Sequence, residues 1–329
     1  MFSSKLTVDL PVDLAPQLIV VIDTEEEFDW SQPVDRANTS VAHMEWISRC
    51  QDIFNEYQIK PCYVIDYPIV SQDVGCRLLK SYHQQGQCEI GAHLHPWVNP
   101  PYTEKLIPRH TYPGNLPEPL EFEKLKSLKE LIDKEFRQDT TIYKAGRYGF
   151  GPRTEHILQQ LGFKIDLSVC PPVDYRADGG PDYRTYSDRP FWFGEQKLLE
   201  IPVTGGFVGT AGRYSPVLYQ WAQQLKAAKL PGILSRLGIV DRLMLSPEGF
   251  SSKEHLKLTR HLFQHGSRIF TWSFHSSSMQ PGHTVYVRNE AQLQQFLGEF
   301  RRYFDFFFDE LSGQASTPTQ IKALLEDQA

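Results

Sequence analysis

The 329-residue chain is poor in cysteine, holds no long apolar run and has no excess of positive charge. Its five cysteines, Cys50, Cys62, Cys76, Cys88 and Cys170, are an odd number and include no C-x-x-C pair. A disulfide scaffold is thereby excluded, and packed, reduced thiols are expected. The longest apolar stretches, such as Leu18 to Ile22, fall far short of the roughly 20 residues that a membrane span requires. Met1 to Pro11 has no apolar segment of the secretory kind, so a cytoplasmic location is expected. Lys and Arg number 34 against 40 Asp and Glu, a net charge of -6. Nucleic acids and anionic membranes select for basic patches, so neither is expected as a partner. The phosphate-cradling G-x-x-x-x-G-K-[ST], the G-x-S-x-G elbow and H-E-x-x-H are all missing. The glycines of Gly205 to Gly212 lack the Lys-Ser/Thr that a phosphate cradle needs.

With 40% hydrophobic and 22% charged residues, the chain can build a substantial core. Strand-like and helix-like segments alternate along it. Gln17 to Asp23, Pro61 to Asp66, Cys88 to His93, Ile142 to Arg147, Phe163 to Val169, Leu198 to Val203 and Ile269 to His275 read as strands. Helical spacing appears between them, in Thr39 to Tyr57, Val70 to His83, Glu121 to Phe136 and Pro152 to Leu161. About seven strands alternating with helices predict a parallel sheet, open or closed into a barrel. A mainly helical insertion is expected over about 216–264, before the last strand. The stripe of Leu293, Phe296, Leu297, Phe300, Phe304, Phe307, Phe308 and Leu311 predicts a long helix capping the core. The polar residues 313–329 are expected to form a frayed tail after one domain spanning 1–312. Between Pro96 and Pro119 lie seven of the 23 prolines, in a stiff loop of the kind that tends to carry function.

The polar residues fall at informative places. Each strand candidate ends in a side chain able to do chemistry: Asp23 and Glu25, Asp66, His93 and His95, Arg147, Asp166, His275. Active sites of parallel α/β folds lie at this carboxyl edge. Asp23 and Glu25 are two apart, so an extended backbone puts both on one face. His93-Leu94-His95 offers two imidazoles from one strand face, a common way to bind a metal. With one carboxylate from the first strand the pair makes a facial site for zinc, iron, cobalt or manganese. Arg147 can hold a carboxylate or form a structural salt bridge. His275 is a candidate general acid or base, and Trp97 and Tyr148 are candidate sugar-stacking aromatics.

In this order and spacing the blocks resemble the polysaccharide deacetylase (NodB-homology) family, and in particular its WalW-like branch. The blocks are Val21-Ile22-Asp23-Thr24-Glu25, Ile90-Gly91-Ala92-His93-Leu94-His95, Arg147-Tyr148-Gly149-Phe150, Gly162 to Ser168 and Phe274-His275-Ser276. The resemblance implies a distorted (β/α) barrel of about seven parallel strands. It implies a metal-dependent hydrolase acting on carbon–nitrogen bonds, which removes N- or O-linked acetyl groups from a sugar or polysaccharide precursor. Zinc is the first choice of divalent metal, with cobalt, iron or manganese as alternatives. Asp23 would be the general base, Glu25 and His93 metal ligands, and His275 the general acid. Arg147 would hold Asp23, and Asp166 would orient Arg147 or its neighbours. The family spaces its metal histidines four apart, and four on from His93 stands Trp97. The partners on offer are His95, or His110 or Asn99 from the Pro-rich loop. Two other readings stay open: a hydrolase of non-sugar amides or ureides on the same barrel, and a catalytically inactive glycan-binding protein.

Overall fold

Seven short runs rich in Ile, Val and Leu supply parallel strands, labelled here β1 (Gln17–Thr24), β2 (Cys62–Ile65), β3 (Glu89–Leu94), β4 (Ile142–Ala145), β5 (Ile165–Asp166), β6 (Leu198–Glu200) and β7 (Ile269–His275). The computed structural model describes all residues except 1, 3, 4, 196, 226–228, 328 and 329. The strands lie side by side in the order β6-β5-β4-β3-β2-β1-β7, every neighbouring pair parallel. The sheet curls into a (β/α) barrel. Its two end strands are joined by loop contacts in place of a ladder. Thr204 Oγ1 accepts from the Thr271 amide at 2.8 Å, Thr271 Oγ1 donates to the Pro202 carbonyl at 2.9 Å, and the Ser273 amide donates to Leu245 O at 3.2 Å.

Because side chains alternate along a strand, each strand serves two cores. Leu18, Val20 and Ile22 of β1 face the surrounding helices and belong to the larger cluster. Ile19 and Val21 face inward, where they meet Val64, Ile142, Leu199 and Ile269. Continuing the inward register to the strand ends brings Asp23, His93, Lys144 and His275 to one mouth of the barrel. The alternation that fills the interior therefore also places the polar cluster.

Two expectations need correction. The stripe helix forms over Glu290–Asp305 and continues through Phe306–Glu310, but it does not cap the barrel. It packs on the outer face of β7, where Phe300 meets Trp272 and Phe274 at 5.7 and 5.0 Å between ring centres. The barrel floor is instead filled by the segment expected to fray. Gln314–Ala315 pairs in parallel with the start of β1, and the capped helix Pro318–Glu326 sends Ile321 and Leu325 into the interior cluster. The insertion is mainly helical, as expected, with one strand added. Helices Ser215–Gln224, Leu230–Arg236 and Ser252–Gln264 are there, and Asp241–Met244 pairs antiparallel with Gly205–Val208. A further antiparallel pair, Leu6–Thr7 with Phe191–Phe193, extends the β6 edge. Among the described residues no helix is long and apolar enough to cross a membrane.

Candidate active site

The carboxyl ends of β1, β3, β4 and β7 open into a cavity of about 350 Å³. Asp23, Glu25, His93, His95 and His275 line it, as do Arg147 and Tyr148. Five of the predicted residues are thus brought together at the floor, and Arg147 and Tyr148 join them on the wall. Asp166 is not among the lining residues.

Glu25, His93 and His95 converge. Glu25 Oε2 lies 3.4 Å from His93 Nε2 and 3.3 Å from His95 Nε2. Each imidazole has its other nitrogen engaged: His93 Nδ1 bonds the Lys144 carbonyl at 3.0 Å, and His95 Nδ1 bonds Glu26 Oε2 at 2.8 Å. A carbonyl or carboxylate can only accept, so Nδ1 carries the proton in both rings and both Nε2 lone pairs face the Glu25 carboxylate. Two lone pairs and an anion, all buried, repel unless a cation lies between them. This donor set fits a divalent metal, and the engaged Nδ1 atoms are the orientation that metal-ligating histidines show. His93 stands on β3 and His95 is the first residue beyond its end, and at this two-residue spacing both rings turn their Nε2 atoms towards Glu25. His110 bonds the Lys105 carbonyl and Asn99 the Lys124 carbonyl, so neither joins the group. Gly146 lets the cluster close up. A Cβ there would stand 2.4 Å from His95 Cδ2.

Trp97 stands where the family pattern places a histidine, and it works behind the site. It has no exposed surface, stacks on His95 at 4.2 Å between ring centres, and donates its Nε1–H to Glu26 Oε1 at 2.6 Å. A sugar cannot stack on a ring so covered. The partly exposed aromatic surface of the cavity comes from Tyr148 and from Phe28 and Trp30 on the loop after β1, and Trp30 lies edge-on to His275 at 4.6 Å. Burial and the neighbouring Glu25 lift Glu26 to about 7. Asp66, pressed against Glu26 and capping the helix Tyr67–Ser71, is raised well above the carboxylate range by burial and by the Glu26 charge. Asp66 therefore holds the proton of this pair and Glu26 is free to accept from His95 and Trp97.

Asp23 is answered by Lys144 and not by Arg147. Lys144 Nζ donates to Asp23 Oδ1 at 2.5 Å and to Ser273 Oγ at 3.2 Å, from a side chain only 1% exposed. Asp23 Oδ2 faces His275 Nε2 at 3.8 Å. His275 is set by a residue absent from the sequence motifs: Glu248 Oε2 meets His275 Nδ1 at 2.6 Å, and Glu248 Oε1 accepts from the His275 amide and from Ser278 Oγ. Burial alone would lower the His275 pKa, but the carboxylates of Glu248, Glu25 and Asp23 outweigh it and raise it to about 10. The imidazole is then a proton donor at neutral pH. Glu25 is lowered to about 2, burial being outweighed first of all by the charge of His275.

Arg147 sits in a tight turn after β4, with Arg147 and Tyr148 both in the left-handed region at φ 55° and 58°. Its guanidinium lies over the Tyr112 ring at 4.3 Å and donates to Thr111 Oγ1. Asp166 is wholly buried below this turn. It accepts from Ser168 Oγ at 2.5 Å, and Ser168 Oγ in turn accepts from the Ala145 amide at 2.7 Å. Burial raises both Asp166 and its neighbour Glu200, Glu200 well above the ordinary range, so the pair keeps a proton. Asp166 thus acts on the turn through β4, without touching Arg147.

The loop 96–119 behaves as its stiffness suggested. Leu106, Ile107, Pro108 and Thr111 form one wall of the cavity, and the Gly114 amide ties the loop to Gly149 O at 2.9 Å.

No family profile and no curated protein matches the sequence. Solved structures do. A polysaccharide deacetylase from Mycobacterium smegmatis superposes with a TM-score of 0.57 at 16% identity, covering 100% of this chain and 96% of that one. A 4-alpha-glucanotransferase from Thermococcus litoralis gives 0.51 at 13% identity over 94% of this chain and 40% of that one. Peptidoglycan deacetylase PdaC from Bacillus subtilis gives 0.44 at 10% identity, covering 97% and 95%. With seven parallel strands curled around an acidic, histidine-bearing mouth, this chain has the deacetylase-like (β/α) barrel fold.

Proposed function

We propose that the chain is a metal-dependent hydrolase that removes acetyl groups from a sugar or polysaccharide precursor. The observation that carries this reading is the convergence of Glu25 with the Nε2 atoms of His93 and His95, beside the neighbouring pair Asp23 and His275. Glu25, His93 and His95 would hold the divalent metal, zinc first and cobalt, iron or manganese otherwise. When bound, such a metal supplies Lewis acidity to the acyl oxygen and to a water. Asp23, its Oδ1 held by Lys144, takes the water proton at Oδ2. His275, oriented by Glu248, gives its Nε2 proton to the leaving amine or hydroxyl. An acid and a base side by side at the ends of neighbouring strands, both lining one cavity, serve hydrolysis, and sugar binding alone needs neither. Phe28 and Trp30 offer the aromatic surface on which a sugar ring can lie.

The reading is tested by metal content together with acetate release. The purified protein, supplied with zinc or cobalt, is expected to hold near one equivalent, and His93→Ala/His95→Ala to lose it. Asp23→Asn and His275→Ala are expected to keep the metal and lose turnover on acetylated sugars at least about a hundredfold. Failure to take up metal at all would remove this mechanism and leave a glycan-binding barrel.

A further inference from the structure

Arg147 and His275 line the cavity, Lys144 lies beneath it bonded to the lining residue Asp23, and the neighbours of these three basic side chains divide them. Lys144 is neutralised by Asp23 at 2.5 Å and His275 by Glu248 at 2.6 Å. Among the described residues Arg147 has no carboxylate within hydrogen-bond distance. Among the described residues its one ion pair is to Asp178, at 3.8 Å, and the Asp178 side chain is 65% exposed. Its one hydrogen bond goes to a neutral hydroxyl, that of Thr111. In the family pattern the arginine of this turn would be spent on the base, Asp23. Here Lys144, three residues earlier and inside β4, has taken that task and released the guanidinium.

The release leaves Arg147 pre-set for a ligand. The Tyr112 ring covers one face of the guanidinium, Thr111 holds one nitrogen, and the left-handed turn aims the side chain into the cavity. The Nη2 edge makes only the long pairing with the exposed Asp178, which a bound anion would replace, and a guanidinium edge matches a carboxylate or phosphate better than any neutral group. The rest of the wall has little with which to orient a sugar by its hydroxyls. Val34, Leu106, Ile107 and Pro108 are apolar, and Gln32 is the only amide lining the cavity.

We propose that Arg147 is the anion-binding residue of this cavity, and that the sugar it selects bears a carboxylate or phosphate in addition to its acetyl group. The inference rests on the deacetylase reading for the acetyl group only; the anion preference concerns binding and stands apart from it.

The test uses the metal-loaded full chain and two readouts. Binding is measured calorimetrically for glucosamine, glucosamine 1-phosphate, glucosamine 6-phosphate and muramic acid. Acetate release is measured on the four corresponding N-acetyl sugars. At least one anionic sugar is expected to bind about tenfold or more tightly than the neutral one. Which one binds distinguishes phosphate from carboxylate. In Arg147→Met the ratio of anionic to neutral affinity should collapse to about one, and in Arg147→Lys it should fall only in part. Asp178→Asn, an exposed change that leaves the fold alone, should tighten the anionic sugar a few-fold by removing the competing charge. Equal binding of neutral and anionic sugars, no binding of any of them, or an anion preference that survives Arg147→Met would overturn the proposal. Acetate release without anion preference would sink the inference and keep the deacetylase. Anion-selective binding with no acetate from any probe would do the reverse.

Discussion

Lys144 occupies an inward strand position whose neighbours in the barrel interior are Ile, Leu and Val, and an ammonium survives there because Asp23 answers it. Removing one partner of such a buried pair leaves an uncompensated charge, at a cost of about 3–5 kcal/mol. Lys144→Met is therefore expected to lose about that much stability in urea unfolding at neutral pH. Arg147→Met, at a half-buried position with a long ion pair, should lose less than about 1 kcal/mol. The opposite ranking would mean that Arg147 does hold Asp23. A second prediction concerns Glu26, which fixes the proton of His95 on Nδ1 from behind. Glu26→Gln should weaken zinc binding about 10- to 100-fold in competition with a chromophoric chelator, because supports of metal-ligating histidines typically matter by that factor. The sequence showed Asp23, Glu25, His93, His95 and His275 because short-range spacing puts them on one strand face. It hid the partners. Glu248 lies 27 residues before His275, on the far side of a helix, and no local pattern connects them. Lys144 left a signal in hindsight, a lone charge within Ile-Tyr-Lys-Ala, where an apolar strand would not tolerate it unpaired.

At the level of elements, the helix Glu118–Phe136 buries Glu121 against the helix Thr154–Gln160, where Thr154 Oγ1 donates to it. Burial raises the Glu121 pKa from 4.5 to about 7. In the folded chain the carboxyl thus stays protonated over a range where the unfolded chain has ionised it. The folded state binds the extra proton, so this contribution is full below about pH 4.5 and is lost as the pH rises through about 7. Glu121→Gln should remove that loss, and its stability relative to wild type should rise between these pH values by up to about 3 kcal/mol. Equal pH slopes for the two proteins would show the carboxyl to be ionised in the fold. The helix Ser252–Gln264 starts with a capping box formed by Ser251 and Glu254. Ser251→Ala is expected to cost about 1 kcal/mol in thermal or urea unfolding. That helix was legible from its apolar spacing, as were the seven parallel strands. The antiparallel pair of Gly205–Val208 with Asp241–Met244 was not, since two four-residue strands, separated by two α-helices and one of them rich in glycine, carry too little alternation to read. The helix Pro318–Glu326 was missed because two buried side chains, Ile321 and Leu325, are all that distinguish it from a polar tail.

Taken as a whole, the barrel depends on contacts that no strand ladder provides. Its seam is carried by Thr204, Leu245 and Thr271, and its floor by Ile321 and Leu325. Deleting residues 313–329 should uncover Ile19, Val21 and their inward neighbours. Large-to-small changes in cores cost about 2–5 kcal/mol per residue, so losing both side chains is expected to remove at least about 4 kcal/mol and to send the chain into the insoluble fraction. Ile321→Ala, the milder change, should lower the urea midpoint while leaving metal uptake intact.

The floor helix also sets the timing of assembly. Ile19 and Val21 leave the ribosome first among the interior residues, and Ile321 and Leu325 leave it last. At the usual elongation rate of about 5–20 residues per second, the inner wall waits roughly 15–60 s for its final side chains. Throughout that interval a nascent barrel presents an unfilled apolar lumen to a chaperone, and native closure cannot come before the floor helix has been made.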